Sequence, residues 1–264
     1  MEKIPARTGW LWLKQGVALF RKQPAEMSTL FLAYMFFMFA IGIVPLLGQI
    51  LPLVLVPVFS IAFMQACRNI DEGQKVLPNL LISGFRSPAL KRLLILGALY
   101  FLAALAAVAA SALVDGGTFF KVMTGQQLLD AEAVRNSDMS QAMLLSAVLY
   151  TPALMGFWYA APLIAWQNMG VAKAIFYSFF AVYRASRAFL VYGLAWGVVG
   201  VLLPVIFSTL IALLLGTALV TIVILLPLTL IMTVVMYCSF YPMYTDIFGK
   251  PGAPDVPAVL TDEA

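Results

Sequence analysis

The chain has 264 residues, 63% of them hydrophobic and only 11% charged, with a formal net charge of +4. Soluble domains run at about 45–50% apolar and about 25% charged, so one soluble core could not hide this surface and lipid must solvate much of it. Histidine is absent, which removes histidine general bases, Ser-His-Asp triads, histidine-ligated haem and the commonest zinc sites together.

The first predicted element is an amphipathic helix. Trp10, Leu13, Val17 and Phe20 fall on one face, with Lys14, Arg21 and Lys22 opposite. Such a helix suits the headgroup plane, with aromatic bodies in the acyl boundary and basic heads reaching outward. No small-residue cleavage site follows the first long apolar run, so no cleavable signal is expected. Between Glu26 and Arg68 lie 41 residues without a charge. A helix needs about 20 apolar residues to cross about 30 Å of hydrocarbon, so this run predicts two spans, near 28–46 and 49–67. Pro45, Gly48 and Pro52 supply the turn. A re-entrant hairpin is the alternative, because so short a run leaves almost no loop.

A second amphipathic stretch places Leu77, Leu80, Leu81 and Phe85 on one face. The 22 uncharged residues between Arg92 and Asp115 hold a third span near 92–114. In the loop that follows, Phe119, Phe120, Val122, Met123, Leu128, Leu129 and Val134 alternate with polar positions and predict short surface helices over 119–135. The fourth span, near 141–166, is interrupted by Pro152, Gly156 and Pro162. Proline in a membrane helix frees carbonyls that water, neighbouring helices or a ligand must satisfy. Tyr150, Thr151, Trp158 and Tyr159 are therefore candidate cavity residues; the plainer alternative is a kink met by neighbouring helices.

A third amphipathic stretch carries Ile175, Phe176, Phe179, Phe180 and Tyr183 on one face, with Lys173 and Arg184 opposite. The 58 uncharged residues between Arg187 and Asp246 predict spans near 189–212 and 219–241, with Gly216 a weaker turn signal. Residues 251–264 read as a flexible cytoplasmic tail after a single membrane domain over 1–250.

Charge sets the orientation. Fourteen of the 16 Lys and Arg residues flank the spans on one side, and only Lys121 and Arg135 fall on the other. The positive-inside rule then places both termini in the cytoplasm of a bacterium, against an anionic inner leaflet. Arg21, Lys22, Arg86, Lys91, Arg92, Arg184 and Arg187 are the candidate lipid-contact residues at that interface, with simple topological anchoring as their bland role. No basic patch on a soluble face points to nucleic acid.

Catalytic chemistry is hard to find. No charge lies within a predicted span, which lowers the expectation of a proton relay or ion-coupled carrier, although sites made of backbone carbonyls escape that test. No P-loop, metal-ligand cluster or nucleophile with its base is visible. Asp71-Glu72 beside Gly73 reads as a helix end. Cys67 and Cys238 read as free thiols packed as small hydrophobes in a reducing compartment. The expectation is no enzyme, no metal and no cofactor.

The chain also repeats itself. Phe20-Arg21, Phe85-Arg86 and Tyr183-Arg184 each precede a pair of spans, and the second span of each pair carries a proline: Pro57, Pro152 and Pro227. Three tandem units follow, at about 9–73, 76–170 and 173–249. The predicted fold class is all-α: a polytopic membrane helix bundle of six transmembrane helices with amphipathic interfacial helices.

This layout, with its Trp10-Leu11-Trp12-Leu13 start, resembles uncharacterised proteobacterial six-span inner-membrane proteins. They include the YciC-type proteins and the membrane domain fused to some glycerophosphodiester phosphodiesterases. The resemblance covers nearly the whole chain through diffuse motifs. It implies an inner-membrane protein and carries over no catalytic residue, since the phosphodiesterase domain is absent. Two functions from different classes stand. One is a non-enzymatic scaffold or accessory subunit engaging membrane lipids, a membrane-protein partner or further copies of itself. The other is a small-molecule or lipid transporter with its path around the fourth span.

Overall fold

Helices form where the uncharged runs fall. The computed structural model describes residues 4–44, 47–124, 126, 138–215 and 218–251. Among them, α1 (Thr8–Lys22), α2 (Pro24–Gly42) and α3 (Leu47–Asp71) come first, followed by a 3-10 turn at Pro78–Ile82. Next come α4 (Leu90–Asp115), α5 (Thr118–Met123), α6 (Met139–Phe157) and α7 (Ala160–Trp166). Then α8 (Val171–Arg184) leads into α9 (Ser186–Trp196), a π-helical stretch at Gly197–Leu202, α10 (Leu203–Leu215) and α11 (Ala218–Phe248).

Six segments are long and apolar enough to cross a membrane: Pro24–Gly42, Ile50–Asp71, Leu90–Asp115, Met139–Trp166, Ser186–Leu210 and Leu225–Phe248. The all-α polytopic fold expected from the sequence is the fold observed. Since α2 and α3 both reach span length, the re-entrant alternative falls away. The first span begins earlier than expected, because Pro24 opens α2 where its missing N–H costs nothing. Pro52 is not part of the turn but lies inside α3. The expected surface helix after the third span is present as α5; the rest of the expected helical stretch, most of 125–135, lies outside the described residues, as do the expected tail at 252–264 and the Gly216 turn.

Two amphipathic elements differ from the sequence expectation. In α1 the buried face is Gly9, Trp12, Leu13, Gly16 and Leu19, and Trp10 is exposed. Trp12 is the anchor, because two glycines on its face let the helix lie close to its neighbours. The second element is no α-helix: Pro78 and Pro88 bracket a run of tight turns in which Leu81 and Gly84 are buried. Proline forces the preceding residue toward extended backbone, and Leu77 adopts it at ψ 147°.

The three amphipathic elements share one packing relationship. The 3-10 turn lies on α2 and α3, the spans that precede it. Helix α8 lies on α6, α7 and α4, again the preceding pair. Helix α1, with nothing before it, lies on α9 and α11, the last pair. The bundle therefore closes on itself.

Bilayer hydrocarbon is as apolar as leucine, so these contacts rest on close van der Waals packing, which small residues permit. A Cβ on Gly16 would sit 2.7 Å from Ser239 Cβ, and one on Gly97 would sit 2.6 Å from the Val54 carbonyl carbon. Gln23, between α1 and α2, donates through Nε2 to Gln74 O (2.7 Å) and accepts from Val76 N at 2.9 Å. These contacts put residues 7–26, 68–92, 166–187 and 244–250 at one end of the bundle, called here the basic end.

Packing is uneven along the bundle. The main core runs from Leu55 to Ile70 in α3 and from Val234 to Tyr244 in α11, with Met27, Leu30 and Phe31 from the first turns of α2. Met27, Ile70 and Tyr244 lie near the basic end, and the core extends from there into the middle of the bundle. Toward the other end, α4 and α6 stay in contact and are closed by Phe119, Met139 and Ala142. Only 6% of an 18-residue stretch of the Ser186–Leu210 span is buried.

Candidate functional site

The fourth span breaks at Trp158-Tyr159, between α6 and α7. Pro162 causes it: the ring has no N–H to donate and clashes with the carbonyl four residues back. Beside the break, the Tyr159 N–H and the Met155 and Phe157 carbonyls are met by side chains from two other helices. Tyr159 N donates to Ser178 Oγ at 2.9 Å, and Ser178 Oγ donates to Met155 O at 2.8 Å, so a serine of α8 is inserted where the helix would have bonded to itself. Tyr100 of α4 donates its hydroxyl to Phe157 O at 2.9 Å. A Cβ on Gly156 would come within 2.9 Å of Ile175 Cγ2, which shows how closely α8 approaches the break.

Beside the break lies a cavity of about 270 Å³ between α3, α4, α6, α7 and α11. Its wall includes Ser60, Phe63, Tyr100, Phe157, Tyr237 and Phe240. Tyr150, Trp158 and Tyr159 also line it, as the sequence suggested. Thr151 does not: it is exposed and donates to Ala147 O at 2.8 Å. No charged side chain lines the cavity, and three hydroxyls in its wall donate to backbone carbonyls: Ser60 Oγ to Pro57 O at 2.8 Å, Tyr100 to Phe157 O at 2.9 Å and Tyr159 to Met243 O at 3.5 Å. Next to its Tyr159 wall, toward the basic end, lies a group of packed aromatic rings. Tyr244 packs on Trp166 at 5.2 Å and on Phe248 at 5.3 Å between centroids, and Tyr159 meets Phe248 at 5.4 Å.

The basic residues named from the sequence lie together at the basic end but are not equivalent. Arg21, Lys22, Arg86, Lys91, Arg184 and Arg187 are exposed. Arg92 is turned to protein instead. Its Nη1 donates to Asn168 O (2.9 Å) and Met169 O (3.0 Å), and its Nη2 to Asn168 Oδ1. It caps the end of α7, where Asn168 takes a left-handed φ of 54° and unpaired carbonyls attract a cation. Around α8, Phe176, Tyr177, Phe180 and Tyr183 are exposed on the outside of the bundle, with Lys173 over the Tyr177 ring at 5.7 Å.

A second, polar pocket of about 230 Å³ lies at the basic end between α1, α3 and α11, with Gln15, Lys22, Asp71 and Asp246 in its wall. Trp12 Nε1 donates to Asp246 Oδ2 at 2.8 Å, and Lys250 Nζ meets Asp71 Oδ2 at 2.7 Å. That hydrogen bond and the Asp71 charge raise the pKa of Lys250 above its ordinary value. Cys67 of α3 and Cys238 of α11 are free and fully buried. Among the described residues no group of three or more Cys, Asp or Glu side chains is placed to hold a metal.

Six apolar spans around this core define a multi-pass α-helical membrane protein. A protein of Burkholderia thailandensis named a probable inner membrane protein is 41% identical to the chain over 263 residues, 97% of each. The chain belongs to that family of inner-membrane proteins. No family model matches it, and neither does any solved structure.

Sequence reasoning missed Ser178, which reads as a polar residue in an aromatic stripe. Its spacing from the break, one helix later in the chain, offered no signal.

Proposed function

We propose that the chain is a non-enzymatic scaffold or accessory subunit of the bacterial inner membrane, with both termini and the basic end in the cytoplasm. The observation that carries this is the collar: three amphipathic elements gathered at one end, with Arg21, Lys22, Arg86, Lys91, Arg184 and Arg187 exposed around it. Fourteen basic residues against two across the spans favour a cytoplasmic collar. Basic side chains beside an anionic leaflet contribute about 1 kcal/mol each, and the exposed rings of α8 suit the acyl boundary just above. The collar thus engages anionic lipid headgroups and holds a flat face toward protein partners or further copies of the chain. The likeness to YciC-type proteins and to the phosphodiesterase membrane domain belongs with this proposal, as a relationship of layout. A carrier with its path around the fourth span has less support, because no charged side chain lines the cavity beside it.

The test is purification in mild detergent followed by mass spectrometry of retained lipids and proteins. Anionic lipids should be enriched over their share of the membrane. Changing Arg21, Lys22, Arg86, Lys91 and Arg187 to Gln should abolish that enrichment while leaving the Tm little changed. Equal lipid retention by the neutralised protein would overturn the proposal.

A further inference from the structure

We propose that the cavity beside the fourth-span break is a binding site for one hydrocarbon tail of a membrane lipid. This goes beyond the collar proposal and does not depend on it.

Four observations select this occupant. First, every lining residue belongs to a segment long and apolar enough to span the membrane, so the site sits at hydrocarbon depth. Second, the lining is aromatic and aliphatic, without a charge. A polar solute or a file of waters needs convergent donors and acceptors, each water about two to four. The hydroxyls of Ser60, Tyr100 and Tyr159 already donate to backbone carbonyls. Third, the shape is that of a slot. Its wall on α6 and α7 runs from Tyr150 to Pro162, about 18 Å at about 1.5 Å per residue, along the direction in which acyl chains lie. Fourth, the slot is open on one side. Leu154 on its lip is 43% exposed, whereas Tyr159 and Ala161 in its wall are buried. A chain slipping in beside Leu154 meets hydrocarbon-like walls throughout and leaves its headgroup in the interface.

The break itself makes the room. A straight α6–α7 would continue its own bonding past Met155 and Tyr159; with Ser178 inserted there, the helix bends and the slot opens beside it.

The experiment is photocrosslinking of the full chain in vesicles of phosphatidylethanolamine and phosphatidylglycerol. The probe is a phosphatidylethanolamine with a diazirine at the end of one acyl chain, and adducts are mapped by mass spectrometry. Segments 150–162 and 236–240 should be labelled several-fold more than the lipid-exposed control segment 201–207. Ser60→Phe, which fills the slot with a ring, should reduce slot labelling to the control level and leave the control unchanged. Should that variant fail to fold, Leu154→Trp at the lip should give the same loss. Uniform labelling of slot and control, or slot labelling that survives filling in a folded variant, would overturn the site. Loss of anionic-lipid retention in the neutralised collar bears on the collar alone, because that measurement reads headgroup class and this one reads tail position.

Discussion

The indole of Trp12 donates to Asp246 at 2.8 Å, joining two residues 234 positions apart. Trp12 is fully buried and edge-on to Phe189 at 5.5 Å and Tyr192 at 6.2 Å, so one side chain ties the first helix to both spans of the last pair.

That tie should be measurable. A hydrogen bond to a charged group contributes about 1.5–3 kcal/mol, and Asp246 is partly in water, so Trp12→Phe should cost toward the lower figure. Trp12→Ala should cost about 3–5 kcal/mol through the lost packing. In a double-mutant cycle followed by Tm in mild detergent, Asp246→Ala should have little further effect once Trp12 is Phe. Additive losses would mean that the two residues act independently.

Much of this fold was legible because charge is costly in hydrocarbon: the uncharged runs marked the spans, and the prolines of the fourth span marked the break. Less was legible where the outcome depends on which neighbour lies against a face. Helical periodicity gave α1 a Trp10 face, but the close approach allowed by Gly9 and Gly16 decided for Trp12. Arg92 reads like any interfacial arginine, yet the carbonyls at Asn168 and Met169 claim it. The cavity residues on the fourth span could be named from proline, whereas their partners on α3 and α11 are brought there only by folding.

Ser178→Ala should destabilise the protein by about 1–3 kcal/mol, since it strands the buried Tyr159 N–H and weakens the Met155 carbonyl's pairing. Ser178→Cys, which keeps a weaker donor and acceptor, should fall between. A Tm unchanged in Ser178→Ala would show that the break heals itself.

Gly97→Ala should push α4 from α3, because its Cβ meets Val54 backbone, which cannot give way. Gly193, with nothing near its Cβ, is the control: Ala there should be neutral or stabilising by up to about 1 kcal/mol. Equal Tm values for the two variants would contradict the close crossing.

Sidedness is tested by single cysteines in a chain lacking Cys67 and Cys238. Thr124→Cys should react with an impermeant thiol reagent in intact spheroplasts, and Gln74→Cys only after permeabilisation. The reverse pattern would place the collar outside.

The closed packing order makes a prediction about connectivity. If the three pairs of spans, each with its amphipathic element, form a ring, the point at which the chain is opened is immaterial. A circular permutant opened after Gly73, an exposed left-handed turn residue, keeps every one of these contacts when residue 250 is joined to residue 4 through a flexible linker. Each pair contributes two crossings, so moving the first pair to the end preserves sidedness. The termini lie near one another, since α1 rests against α11, and a linker of modest length costs little, because closure entropy grows only by about 0.6 kcal/mol per doubling. The permutant should therefore insert, and its Tm should lie close to that of the parent. The competing account is a linear stack in which α1 merely drapes over the last pair. On that account removing residues 4–22 would be tolerated and the permutant would gain nothing from its new junction. In a ring, the same deletion exposes Phe189, Tyr192 and Ser239 and should lower the Tm far more than permutation does. A permutant that fails to accumulate while the deletion is stable would reject the ring.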